Sequence, residues 1–276
     1  MKILCFFLLL LNLSLNVTSQ PIDNTDIGSV AVLIQTKTGS GSGFYLEDTS
    51  KHFVCLVTAC HVIINPQTGE LYSDTILLIS YKKNSQRDNR DSFRVSLVAA
   101  YKMGMLRFNI QKDFAVLKFA TSNKAAITYL PFIEKLTLTN TYLTSFKIYE
   151  IKKIKDLMTM SDVFTIGYPK SLSLSLNFDF NRPLIRRGIV AGVDLNKNKI
   201  IIDCPTYQGN SGGMVFETGL LSNQPLIIGI VSQFVPFEEH WKNEAYGYFN
   251  TNVYNSGYTV VVPIDLIIEQ INLLPN

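Results

Sequence analysis

The chain has 276 residues, 47% of them hydrophobic and only 17% charged, with a formal net charge of +3. That balance describes a packed globular protein and excludes a disordered one. Lys and Arg are scattered along the chain, so there is no electrostatic footprint for nucleic acid and no such partner is expected.

Met1-Lys2 supplies a positive charge, Ile3 to Leu15 is almost wholly apolar, and Val17-Thr18-Ser19 offers small residues where signal peptidase needs them. Residues 1–19 therefore read as a cleaved secretory signal, since the apolar run is shorter than the ~20 residues of a spanning helix. An uncleaved anchor is the other reading. No later stretch approaches that length, so the expected product is secreted or periplasmic, with no integral membrane span.

Beyond about Gln20 the chain is long enough for one large all-β domain or two small ones. Short apolar runs rich in Val, Ile, Phe and Tyr recur between turn residues. In order they are Val30–Gln35, Phe53–Thr58, Thr75–Tyr81, Phe114–Phe119, Val163–Ile166, Ile189–Val193, Ile200–Asp203, Leu226–Ser232 and Tyr258–Val262. Their length and punctuation argue strands. Tyr81 to Arg94 is polar and mixed in sign and reads as a solvated loop. Tyr142 to Asp162, rich in Lys and polar residues, is the expected seam, at about 142–162, between two halves of one unit spanning 20–276. Pro263-Ile264-Asp265 opens a terminal amphipathic helix over Leu266–Leu273. Many short strands and few helices predict an all-β sandwich or a pair of barrels.

Cys55, Cys60 and Cys204 remain once a signal is removed. An odd number in an exported protein leaves at least one thiol unpaired, or paired with another chain. Cys55 and Cys60 share one apolar segment, where strand geometry keeps their Cα atoms too far apart to bridge. A bridge from Cys204 to one of them stays open, with buried free cysteines as the reading adopted. Only three histidines exist, and no metal site is expected.

Hydrolysing an amide with a serine requires a base for the hydroxyl proton, an acid group to orient that base, and donors for the oxyanion. His61 lies in Val57-Thr58-Ala59-Cys60-His61-Val62, directly after a predicted strand. Asp113 lies in Lys112-Asp113-Phe114-Ala115-Val116-Leu117, directly before one. Ser211 lies in Gln208-Gly209-Asn210-Ser211-Gly212-Gly213. Singly each has a bland explanation: a structural histidine, a strand-edge Asp, a turn.

Together these segments resemble the trypsin-like serine proteases, in particular the bacterial branch that includes the protease domains of HtrA/Deg enzymes. Thr58-Ala59-Cys60-His61 is similar to that family's T-A-x-H segment, Asp113-Phe114-Ala115-Val116-Leu117 to its D-x-A-[VL]-L segment, and Gly209-Asn210-Ser211-Gly212-Gly213 to its G-[DN]-S-G-G loop. The order His, Asp, Ser is the chymotrypsin order. Gly41-Ser42-Gly43-Phe44, Gly167-Tyr168-Pro169, Gly188-Ile189-Val190 and Gly229-Ile230-Val231-Ser232 resemble further family segments, so the likeness runs from about Ser29 to Ile271.

The resemblance implies two antiparallel six-stranded β-barrels packed together, with a short C-terminal helix. It implies a secreted serine endopeptidase acting on protein or peptide substrates, with Ser211 as nucleophile, His61 as general base and Asp113 orienting the imidazole. The backbone N–H groups of Gly209 and Ser211 would form the oxyanion hole, and Ser232 would sit beside Asp113 and line the cleft. No cofactor is implied, and the oligomeric state is left open.

Departures from the digestive enzymes are informative. Those place Asp before the nucleophile, to pair with a terminus released by activation; here the residue is Asn210, so activity without that switch is expected. The chain ends soon after the protease region, so no PDZ domain is expected. Pro205 stands six residues before the nucleophile, where trypsin keeps an acidic pocket floor, so cleavage after Lys or Arg is not expected. Phe234 would narrow the pocket, or else pack on the insertion Val235 to Asn255.

Gly209-x-Ser211-x-Gly213 also fits the nucleophile elbow of α/β-hydrolases. That fold needs a helix after the elbow and its acid and histidine later in the chain. Only His240 follows, and Met214-Val215-Phe216 leads to a polar turn. The remaining alternative is a catalytically inactive trypsin-like binding module, since fold does not fix function.

Overall fold

The computed structural model describes residues 27–81, 90–122, 127–137, 143–170, 182–218 and 225–275. The expected signal at residues 1–19 lies outside them.

After a 3-10 turn at Ile27–Val30, the first half consists of β1 (Ala31–Gln35), β2 (Ser40–Asp48), β3 (Phe53–Thr58), the one-turn helix α1 (Cys60–Ile63), β4 (Thr75–Tyr81), β5 (Arg90–Ser96), α2 (Leu97–Lys102), β6 (Leu106–Asn109), β7 (Phe114–Ser122), β8 (Ile127–Tyr129), β9 (Ile133–Thr137) and β10 (Phe146–Lys147). Its strands form one sheet in the order β6-β7-β3-β2-β1-β4-β5-β9, with β8 on β7 and β10 on β2. The second half holds β11 (Asp162–Gly167), β12 (Leu184–Asp194), β13 (Lys199–Asp203), β14 (Met214–Thr218), β15 (Pro225–Asn243) and β16 (Tyr248–Pro263), then α3 (Ile264–Asn272). These six strands close into a barrel in the order β11-β12-β13-β16-β15-β14. Lys147 still pairs with Glu47 of the first half, whereas Ile151 already bridges to Ile227 of the second.

The residue pattern explains the layering. β3 lies between β2 and β7, and all six of its residues, Phe-Val-Cys-Leu-Val-Thr, are buried, hence its unbroken apolar run. β5 instead alternates: Asp91, Phe93 and Val95 point inward while Ser92 and Arg94 do not. The solvated loop expected over Tyr81–Arg94 is therefore strand at both ends. The polar outward face of β5 hid its period of two. Phe93, Phe119, Tyr45 and Tyr129 pack ring on ring at centroid distances of 5.0–5.6 Å in the first core. The barrel core is smaller and aliphatic, built on Val163, Val190, Ile200, Ile202, Val215, Ile228 and Val261.

Helix α3 follows the second half and packs against β15 of that half and β7 of the first. Ile264, Ile267 and Ile271, at i, i+3 and i+7, join the first core together with Leu274. Burying each such side chain stabilises by about 2 kcal/mol. Lys118 Nζ, on β7, donates to the Pro275 carbonyl at 2.7 Å. The two halves are thus held together from both ends of the second one.

β15 and β16 run past the barrel as a two-stranded ribbon, paired from Pro236–Asn255 to Asn243–Tyr248. The apolar runs that predict these strands end at Ser232 and resume at Tyr258. With both faces of the ribbon in solvent, no apolar alternation marks it. Phe237, Trp241, Tyr248 and Tyr254 are exposed along it. Among the described residues no helix is long and apolar enough to cross a membrane.

Candidate active site

The pairing of β3 with β7 sets Thr58 opposite Ala115. His61 lies three residues beyond Thr58, in α1, and Asp113 two residues before Ala115, in the β6–β7 turn. One register therefore delivers both side chains to the same end of the sheet. Asp113 has φ +58°, a left-handed conformation that a short polar residue tolerates better than most.

Nδ1 of His61 is 2.9 Å from Oδ1 and 2.9 Å from Oδ2 of Asp113, and the His61 amide donates to Oδ1 at 3.1 Å. A carboxylate only accepts, so in the neutral imidazole Nδ1 is the nitrogen that carries the proton and Nε2 the one with the lone pair. Burial disfavours the charge on Asp113, yet the hydrogen bond and charge of His61, the Ser232 hydroxyl and the His61 amide together hold its carboxyl below the ordinary 3.8.

Ser232 belongs to a β-bulge. Val231 pairs with Val261 and Gln233 with Val260, so Ser232 is the extra residue of β15. A bulge re-aims a side chain and frees backbone groups. Here the Ser232 hydroxyl donates to Oδ2 of Asp113 at 2.5 Å, and its carbonyl accepts from the Ser211 hydroxyl at 3.3 Å. Among the described residues no hydrogen bond joins Ser211 Oγ to His61 Nε2.

The Ser211 loop depends on two glycines with positive φ, Gly209 at +96° and Gly212 at +81°. A Cβ at Gly209 would collide with the Tyr168 carbonyl, and one at Gly212 with the Ser42 carbonyl. Among the described residues the backbone N–H groups of Gly209 and Ser211 donate to no protein acceptor. They are the two donors named from the sequence for an oxyanion.

Pro205 and Phe234 stand outside this hydrogen-bonded group. Pro205 is half-buried beyond β13, and half-buried Phe234 pairs with Thr259 across the β15–β16 ladder. Cys60, beside His61, is 1% exposed and free, and burial pushes its thiol up to about 12. No role for Ser42 follows from the sequence. The residue is fully buried on β2 and hydrogen-bonded to the Ser211 loop from the other half of the molecule. Ser42 sits between two glycines, Gly41-Ser42-Gly43, in a segment that shows no partner by itself.

No curated protein sequence matches the chain. Among solved structures it is similar to a Glu endopeptidase in complex with MPD, at 16% identity over 90% of this chain and 91% of that one, with a TM-score of 0.52. It is similar also to human heparin binding protein, at 11% identity over 91% of this chain and 94% of that one, with a TM-score of 0.53. At such identities the likeness is one of fold, the chymotrypsin-like double β-barrel. The sequence model of the trypsin-like peptidase domain matches residues 41–220, well over half of the chain, and the protein belongs to that family.

Proposed function

We propose that this protein is a secreted serine endopeptidase that cleaves through an acyl-enzyme, using His61, Asp113 and Ser211. The observation that carries the reading is the doubly held imidazole: both oxygens of Asp113 lie 2.9 Å from Nδ1, which leaves Nε2 as the base. Ser211 attacks the scissile carbonyl as Nε2 takes its proton. The imidazolium, steadied by Asp113, then protonates the leaving amine. Oγ must first turn from the Ser232 carbonyl toward Nε2. That gives up one long neutral hydrogen bond, worth about 1 kcal/mol. The Gly209 and Ser211 amides receive the oxyanion, where one such donor is worth about 3 kcal/mol. Pro205 supplies no charge for a basic side chain before the scissile bond, and Phe234 favours a small or modest apolar one.

The test is labelling of the purified protein by a fluorophosphonate probe, beside Ser211→Ala and His61→Ala. Covalent labelling at Ser211, abolished by both substitutions, is expected. A folded wild-type protein that never labels across neutral pH sinks the catalytic reading. The second reading, an inactive binding module, draws on the Ser211 hydroxyl resting on Ser232 instead of on His61. The same absence of labelling would favour it.

A further inference from the structure

Four consecutive carbonyls of the Ser211 loop are each held by a donor. Gln208 accepts from the Lys170 amide at 2.7 Å, Asn210 from the Gly213 amide at 2.8 Å, and Ser211 from the Ser42 amide at 2.8 Å. Gly209 alone accepts from a side chain, the Ser42 hydroxyl, at 2.6 Å. A trans peptide unit is planar, with N–H and C=O on opposite sides. Pinning the Gln208 and Asn210 carbonyls inward therefore turns the amides of Gly209 and Ser211 outward, to where they have no protein acceptor. The intervening Gly209–Asn210 unit is held on its amide side by the Tyr207 carbonyl, which accepts from the Asn210 N–H at 3.0 Å, and on its carbonyl side by the Ser42 hydroxyl; glycine at φ +96° adds no steric preference of its own.

We propose that Ser42 is a positioning residue that holds the oxyanion donors in place from the opposite half of the molecule. Its hydroxyl is committed at both ends: the proton goes to the Gly209 carbonyl and a lone pair accepts the Tyr168 amide at 2.8 Å. Its own carbonyl is fixed by Thr58 Oγ1 at 2.7 Å, three residues before His61. One fully buried residue of β2 thereby links the strand that leads to the base with the loop that carries the nucleophile. Of the four loop carbonyls, only the one on Gly209 depends on a side chain, so only that pin can be removed by substitution.

The inference rests on the peptidase reading, and fluorophosphonate labelling of the full chain separates the two. Ser42→Ala keeps the backbone bond to Ser211 and loses the hydroxyl alone. The maximal labelling rate should fall about 10- to 100-fold, because an oxyanion donor is left misaimed. The probe's half-saturating concentration should stay within about twofold, and the acid limb of the pH profile should not move. Ser42→Cys, a weaker donor of similar size, should fall in between, and it serves as the reporter if the alanine variant does not fold. A folded Ser42 variant labelled at the wild-type rate, or one that loses only probe affinity, overturns the assignment. A wild-type protein that does not label at all overturns the peptidase reading, and this one with it.

Discussion

The hydroxyl of Ser232 donates to Oδ2 of Asp113 at 2.5 Å, from the residue of β15 that the ladder to β16 skips between Val231 and Gln233. Asp113 titrates below its ordinary 3.8, so its hydrogen bonds stabilise the folded state above that value. The stabilisation is lost as pH falls through the folded pKa. Ser232→Ala removes one of the donors that keep the carboxylate ionised. Near neutral pH the variant should unfold with about 1–2 kcal/mol less stability, as measured by urea titration. Below the ordinary 3.8 the gap should close. A gap that stays constant down to about pH 2 would mean that Asp113 is not the group responsible.

Asp113→Asn preserves shape and changes hydrogen-bond character. An amide can donate to Nδ1 and so stabilise the tautomer whose Nε2 holds the proton. Labelling by a fluorophosphonate should slow by about 10³–10⁴-fold with the melting temperature little changed. Near-wild-type labelling would separate His61 from its assigned partner.

Gly209→Ala would place a methyl group against the Tyr168 carbonyl at a φ that L-residues rarely adopt. It should cost about 2–4 kcal/mol of stability, read from chemical denaturation, because two mechanisms act at one site. Gly192, whose added Cβ meets nothing within 4 Å, is the control, and Gly192→Ala should be nearly silent. Equal effects at the two positions would contradict the packing described for the loop.

The parts of the fold legible in sequence were those whose side chains face one core. Phe53–Thr58 and Thr75–Tyr81 match β3 and β4 end to end, because apolar burial writes an unbroken or alternating pattern. The strands that escaped have another reason for their polarity. β5 shows charged side chains to solvent, β8 and β10 are too short to carry a period, and the ribbon has no core on either face. The same holds at the site. His61, Asp113 and Ser211 sit in recognisable segments, and Ser232 lies at the end of a predicted strand. Ser42 makes its contacts more than 120 residues away, to Tyr168 and Gly209, and nothing local to β2 announces them.

Cys55, Cys60 and Cys204 are all buried and free. Burial raises all three thiols, Cys60 to about 12, so none presents a thiolate at neutral pH. A small aromatic disulfide reagent should leave all three untouched in the native protein and react with each in denaturant. Rapid native reaction at Cys60 would show that the segment beside His61 opens.

Trp241 is the chain's single tryptophan, and it stands 60% exposed on the β15–β16 ribbon, away from both cores. Indole emission from this protein therefore reports the ribbon and is nearly blind to the barrels. The native spectrum should already be that of a hydrated indole, fully open to a water-soluble quencher, and should shift little as the cores melt. Whatever settles on the ribbon should move it to the blue, so the molecule carries its own optical reporter for contact at a surface where several of its aromatic side chains meet water.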